Sequence, residues 1–191
     1  MKRLVYAAVA LLVGAALFVT LRQPFPANDT PEGAYARVAL ALGQGKPRDV
    51  FSYLENDAQW ACISVREARK EARDRIQASY PPDARDAALS EVGPLGSAAD
   101  GEDVFVQTAE SRGWLARLRK DLSGSKASEI QGDRATVITA RGTRYSFRRR
   151  DNGMWGLTMF TAELVSDRDK ATRDLAVVKA AAEDYDRARK P

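Results

Sequence analysis

The chain has 191 residues, and this length predicts one ordinary domain with at most a short appendage. It contains 30 basic and 26 acidic residues, no histidine and one cysteine. The lack of histidine excludes histidine-based catalytic triads and most zinc sites, and a single cysteine excludes an intramolecular disulfide. We predict neither a cofactor nor a bound metal. The cysteine, Cys62, lies in WACISV and is predicted to be a small buried hydrophobe.

Residues 4–21 form an uncharged apolar stretch, LVYAAVALLVGAALFVTL, between Lys2 and Arg3 on one side and Arg22 on the other. A helix of that length spans roughly 27 Å, close to the thickness of a hydrocarbon core. The alternative is a cleaved signal peptide, whose apolar core is usually about 7–15 residues, but the following LRQPFPAND offers a poor cleavage site. A cytosolic helix is the least favoured interpretation. We expect residues 1–22 to form a membrane anchor or, alternatively, a signal peptide.

Both leading interpretations place the rest of the chain outside the cytoplasm, because Lys2 and Arg3 hold the N-terminus inside. The expected location is a bacterial-type inner membrane crossed once by residues 4–21, with a secreted or periplasmic protein after cleavage as the alternative. Without the three basic residues of this segment, 27 basic residues face 26 acidic ones. That balance disfavours nucleic-acid binding, which needs an unbalanced basic face.

Helices come first along the rest of the chain. Residues 23–29 form a Pro-containing linker, and residues 30–32 (TPE) supply a hydroxyl cap, a first-turn proline and an early carboxylate for a helix start. Pro47 opens a second short helix. A third helix is predicted at about 57–79, and its apolar spacing indicates one buried stripe. The stripe consists of Trp60, Ile63, Ala68, Ala72 and Ile76.

A short Ala-rich helix and a Gly-rich loop are predicted at 83–101, followed by a fifth helix at about 102–122. From Glu129 to Phe160 the pattern becomes that of strands separated by glycine-containing turns. A final helix is predicted at about 162–187. Its narrow apolar seam can pack on the sheet or on a protein partner, and it consists of Ala171, Leu175, Val178, Ala182 and Tyr185. Helices followed by an antiparallel meander of three to four strands predict a single α+β domain over 30–191.

The last two strands, RYSFRRRDNGMWGLTMF, allow two registers. A two-residue Asn-Gly turn would mix arginines and apolar side chains on one face. A three-residue DNG loop, with Gly153 in the left-handed conformation, separates an apolar face from a polar face, and we predict this register. The predicted pairs are Arg149 with Trp155, Phe147 with Leu157, and Tyr145 with Met159.

In this register the polar face carries Arg144, Arg148 and Arg150, which form our candidate site for an anion or a lipid headgroup. Arg149 is predicted to lie beside the indole of Trp155, where its stem would cover the edge of the apolar face. The alternative is that these arginines form a solvated strand face. No motif in the sequence predicts a catalytic residue.

The helix pair carrying Gly-x-Pro-x-x-Val-Phe-x-x-Leu at 45–54, with a strand pair closed by Asn-Gly before Trp, resembles the nuclear-transport-factor-2-like superfamily. These cone-shaped α+β domains include ketosteroid isomerase and polyketide cyclases. The resemblance covers 30–160, while the helices at 57–79 and 102–122 are long for that fold and the C-terminal helix is additional. The family's catalytic acid and tyrosine have no counterpart here, so the resemblance implies a fold and no activity.

The sequence therefore favours a membrane-anchored domain outside the cytoplasm that binds a protein partner or a small ligand without catalysis. The expected partner surface is the C-terminal helix. The alternative is a pocket enzyme of the isomerase or cyclase type, using a carboxylate with Tyr145 or Tyr53 as proton donor. That enzyme needs a buried carboxylate in a cone lined by Trp60, Trp114 and Phe147.

Overall fold

A computed structural model describes residues 26–27 and 29–189, and the predicted anchor lies outside these residues. None of the helices in the described part is both long and apolar enough to cross a membrane. The helices are α1 (Pro31–Gly43), α2 (Pro47–Phe51), α3 (Asn56–Ser79), α4 (Pro82–Val92), a 3-10 turn (Pro94–Ser97), α5 (Gly101–Ser111), α6 (Trp114–Arg119) and, at the end, α7 (Thr161–Arg189). The strands are β1 (Ser125–Gln131), β2 (Arg134–Thr139), β3 (Arg144–Arg149) and β4 (Trp155–Leu157). The predicted α+β class is confirmed.

Two helix boundaries are set by single residues, Thr30 and Gly113. The hydroxyl of Thr30 accepts a hydrogen bond from the Gly33 N–H at 3.1 Å and caps α1, as the sequence predicted. The single helix predicted at 102–122 is wrong, because the chain forms α5 and α6 with a break between them. Gly113 adopts a φ of 67° at this break, in the left-handed region that glycine enters without steric cost.

The residues just before α1 are fastened to the domain. The Ala27 carbonyl accepts hydrogen bonds from the N–H of Thr30 at 3.2 Å and from its hydroxyl at 2.9 Å. The Trp155 indole N–H donates to the Asp29 carbonyl at 3.1 Å. A Cβ on Gly33 would lie 1.9 Å from the Ala27 oxygen, so only glycine permits this approach.

The four strands form one antiparallel sheet in the order β1-β2-β3-β4. The predicted three-residue loop is confirmed, since Arg149 pairs with Trp155 and Gly153 has a φ of 82°. The predicted partner of Tyr145 lies beyond the strand, because β4 ends at Leu157 and the chain then turns into α7.

The free edge of β4 is covered by the connection between α2 and α3. The Leu157 N–H donates to the Tyr53 carbonyl at 2.7 Å, and the Glu55 N–H donates to the Leu157 carbonyl at 3.2 Å. A Cβ on Gly156 would lie 2.5 Å from the Glu55 Cα, so the glycine allows the two backbones to touch. This parallel contact brings Glu55 to the hairpin.

The main core lies between α1 and one face of the sheet, where the rings of Tyr35 and Tyr145 are 5.2 Å apart. Cys62 is fully buried in this core, as predicted. The prediction for Trp60 is wrong: its side chain is 64% exposed, because the buried stripe of α3 passes through other positions. The buried stripe consists of Ala58, Ala61, Cys62, Val65, Ala68, Ala72 and Ile76, and Ile63 is half-buried beside it.

A second, smaller core lies between α3, α4 and the end of α7. Tyr80 and Tyr185 meet edge to face with their ring centroids 4.9 Å apart. The predicted apolar seam of α7 packs into the two cores, with Ala171 and Ala182 buried. Most of the contact surface of α7 is therefore used within the domain, along α3.

Candidate functional site: the hairpin cleft

A polar cleft of about 490 Å³ lies between the end of the β3–β4 hairpin and the first turn of α3. We call it the hairpin cleft. Its lining is highly charged, with three arginines and four acidic residues. The lining residues are Glu55, Asn56, Asp57, Asp133, Arg148, Arg149, Arg150 and Asp151.

Glu55 is the most buried charged group in this cleft, with 6% of its surface exposed. It precedes α3 at the capping position, yet its side chain caps no backbone N–H. Within the described part of the chain its carboxylate makes neither a hydrogen bond nor an ion pair. Among the described residues, the buried polar atoms that lack a hydrogen bond do not include the Glu55 oxygens, so the carboxylate faces the open space of the cleft, where a ligand can bind it.

Arg150 connects the hairpin to the start of α3. Its guanidinium is half-buried and donates through Nη2 to the Ser52 carbonyl at 2.7 Å and to the Leu54 carbonyl. Its Nε is buried without a partner among the described residues. Burial lowers the pKa of Arg150, while the charge of Glu55 acts in the opposite direction. Arg150 therefore holds the wall of the cleft in place.

Arg148 and Arg149 are more exposed than Arg150. Arg148 Nε lies 3.1 Å from Asp133 Oδ2, and this hydrogen bond, followed by the charges of Asp133 and Glu55, raises the pKa of Arg148. Arg149 is exposed and lies across from Trp155 in the sheet, as predicted, and no cation–π contact between these two side chains is found in the described part of the chain. No described carboxylate forms an ion pair with Arg149, so its charge is open to a ligand.

The predicted arginine site is thus only partly brought together. Arg148 and Arg150 line the hairpin cleft, whereas Arg144 lies on the open face of the sheet and pairs with Glu129. A second cleft of about 420 Å³ on that face adjoins the first and shares Glu55 and Arg148 with it.

Glu55 was missed from the sequence, although one signal was present. Helices prefer Ser, Thr, Asp or Asn at the capping position, and the sequence LEND places a glutamate there instead. A glutamate at a position where another residue would cap the helix better suggests that its side chain has a role other than capping.

The pocket proposed for an isomerase or cyclase has a different geometry. Trp114 stacks on Phe160 with ring centroids 4.4 Å apart, and Phe147 is buried in the core. The space beside Tyr35 and Tyr145 is about 10 Å³, which is room for one water molecule at most. The Tyr145 hydroxyl donates to the backbone carbonyl of Asp121 at 3.1 Å.

Asp121 is the second acidic residue with little exposed surface in the described part of the chain, and its carboxylate is bound by groups of the domain itself. It accepts hydrogen bonds from the Ser123 N–H at 3.0 Å and from the hydroxyls of Ser123 and Thr139, both at 2.5 Å. These hydrogen bonds, led by that of the Ser123 hydroxyl, hold the pKa of Asp121 far below its usual range. Its role is to close the loop between α6 and β1.

No known protein family, no characterised protein and no solved structure matches this chain. Within residues 26–27 and 29–189, no group of three or more cysteine, aspartate or glutamate side chains is arranged to hold a metal ion. The candidate site is therefore defined by its own geometry.

Proposed function

We propose that the chain is a membrane-anchored binding module outside the cytoplasm, and that the hairpin cleft binds a small zwitterionic ligand. The observation that carries this proposal is that Glu55 and Arg149 line the same cleft and that neither side chain forms a hydrogen bond or an ion pair with another described residue. The two groups call for opposite charges on one ligand.

The cationic end of the ligand belongs at Glu55. A carboxylate that opens into a cleft can accept hydrogen bonds from a cation, and such charge-assisted hydrogen bonds are stronger than neutral ones. Arg150 and Arg148 lie near enough for Glu55 to influence their pKa, but each donates its hydrogen bonds to other groups. An ammonium group has three N–H donors and can supply the hydrogen bonds that the Glu55 carboxylate does not receive from the described residues.

The anionic end belongs at Arg149, with help from Arg148. Arg148 uses only Nε toward Asp133, so its other N–H groups remain available for a carboxylate or phosphate oxygen. The four acidic residues of the cleft disfavour a ligand that carries negative charge alone. A zwitterion matches the mixed charge of the walls better than a simple anion does.

The location follows from the apolar stretch at 4–21 and the basic residues before it. The resemblance to the nuclear-transport-factor-2-like superfamily is part of the same proposal. Its support is the short helix pair α1–α2 followed by a meander that closes at Trp155.

The test is isothermal titration of the full chain in lipid nanodiscs with three matched probes. Glycylglycine carries both charges, its N-acetyl form carries only the carboxylate, and its C-terminal amide carries only the ammonium. We expect glycylglycine to bind at least about tenfold more tightly than either, because each lost group removes a charge-assisted hydrogen bond.

Variants assign the binding to the cleft. Glu55→Gln and Arg149→Ser are each expected to weaken glycylglycine binding about tenfold or more, while Glu129→Gln, on the open sheet face, leaves it unchanged. Equal binding of all three probes, or full binding by Glu55→Gln, would rule out this ligand class.

A further inference from the structure

A third cleft, of about 340 Å³, lies between α3, the 3-10 turn, α5 and α7. We call it the helix cleft. It shares no lining residue with the hairpin cleft and opens beside Val65 and Arg69, about two to four turns further along α3. Its apolar wall is formed by Val65, Pro94 and Leu95, and its rim carries Arg69, Arg112 and Lys170.

The three cations of the rim share two carboxylates. Arg69 Nη2 and Lys170 Nζ both lie 2.7 Å from the same oxygen, Oδ2 of Asp174. Arg112 Nη2 lies 2.7 Å from Asp167 Oδ1. The rim therefore carries one uncompensated positive charge.

Arg69 is the deepest of these cations, with 11% of its side chain exposed. In the described part of the chain its guanidinium makes one hydrogen bond, to Asp174, whereas a guanidinium has five N–H donors. The carboxylate of Asp103, on the neighbouring α5, is already engaged by Arg48 and Gln107. Among the described residues, Asp174 is the carboxylate that binds Arg69, so the other N–H groups of Arg69 remain available to a ligand.

We propose that the helix cleft is a binding site for a small amphiphilic monocarboxylate. One carboxylate group matches the single excess charge and the free donors of Arg69 and Lys170. A short hydrocarbon body matches the wall of Val65, Pro94 and Leu95. Apolar walls with a few convergent polar groups, and a volume above about 300 Å³, are usual for sites of small organic ligands.

The experiment is a titration of the full chain in lipid nanodiscs, with hexanoate as the probe. Hexanamide, which lacks the charge, and acetate, which lacks the hydrocarbon body, are the matched ligands. We expect hexanoate to bind at least about tenfold more tightly than either, since both halves of the ligand are used. Hexanamide binding as tightly as hexanoate would show that the cationic rim recognises nothing and would overturn the proposal.

Two lysines of α7 provide matched variants. Lys170 lies in the cleft and pairs with Asp174, and Lys179 lies outside it and pairs with Glu71 at 2.7 Å. Lys170→Gln should weaken hexanoate binding about fivefold or more, and Lys179→Gln should leave it unchanged. Equal affinities for these two variants would overturn the assignment to this cleft. Glu55→Gln should not alter hexanoate binding, so this result is separate from the test of the hairpin cleft.

Discussion

Glu55 and Asp121 are both carboxylates withdrawn from solvent, but their surroundings differ. Three donors from two residues surround Asp121, and none of the described residues donates to the side chain of Glu55. A carboxylate whose oxygens already accept hydrogen bonds from the protein serves the structure. A carboxylate whose oxygens accept none remains available to a ligand. At the scale of single residues, this difference is the reason for proposing a binding role for Glu55 and a structural role for Asp121.

Asp121 gives a pH-dependent prediction. Its pKa is lower in the folded chain than the usual value of about 3.9 in an unfolded chain, so its contribution to stability is complete above about pH 4. The contribution is lost as the pH falls below that value toward the folded pKa. We expect Asp121→Asn to be less stable than the natural chain at pH 7, with the difference shrinking below pH 4. Denaturant titrations of both proteins between pH 7 and pH 2.5 measure this, and a difference that does not change with pH would contradict it.

The β3–β4 hairpin is the element that the sequence predicted best. Its alternating apolar and polar residues permit a coherent face in only one register, and an Asp-Asn-Gly loop supplies the left-handed position that the register needs. Both signals lie within 17 consecutive residues, so no distant contact is required to interpret them.

Elements that depend on distant contacts were predicted less well. Trp114, Leu115 and Leu118 continue the apolar spacing of α5, so the break at Gly113 could not be recognised from periodicity. Glu55 reaches the hairpin only because Leu157, about 100 residues later, pairs with the chain beside it. Neither cleft has a local signature, since each forms where segments from different parts of the chain meet.

The hairpin provides a prediction about neighbouring arginines. The sequence predicted that Arg148 and Arg150 lie together on a polar face. The structure distinguishes them, since Arg150 donates to two backbone carbonyls while Arg148 makes an exposed ion pair with Asp133. We expect Arg150→Ser to lower the free energy of unfolding by about 2 kcal/mol and Arg148→Ser to lower it by clearly less, because solvent screens the exposed ion pair. Urea unfolding compares them, and equal losses would show that the anchoring hydrogen bonds contribute little.

At the scale of the whole molecule, the long helices α3 and α7 run side by side and join the main core to the smaller one. Arg69 and Asp174 bridge them near the middle, and Tyr80 meets Tyr185 near their ends. The order of helices, meander and final helix was predictable because apolar periodicity is a property of each segment alone. The pairing of α3 with α7 was not predictable, because the apolar residues along each helix do not indicate which other helix they pack against.

The expected topology leads to a prediction for cells. In cells with a permeabilised outer membrane and an intact inner membrane, added protease should degrade residues 30–191 while a cytoplasmic marker stays whole. The reason is that the basic N-terminus is expected to stay in the cytoplasm, which places the domain on the other side of the inner membrane. Immunoblotting with an antibody to the α7 sequence follows the digestion. Protection of the domain until the inner membrane is lysed would contradict an extracytoplasmic location.

Hydrogen bonds hold Ala27 to Thr30 and Asp29 to Trp155, so the first described residues are part of the domain. The proposed anchor ends at residue 21, and four residues separate it from Pro26. Four residues span at most about 14 Å when fully extended. Under the proposed topology, this length would keep the hairpin, whose Trp155 binds the incoming chain, close to the bilayer. The module would therefore sample the molecules of the membrane surface rather than those of the wider compartment.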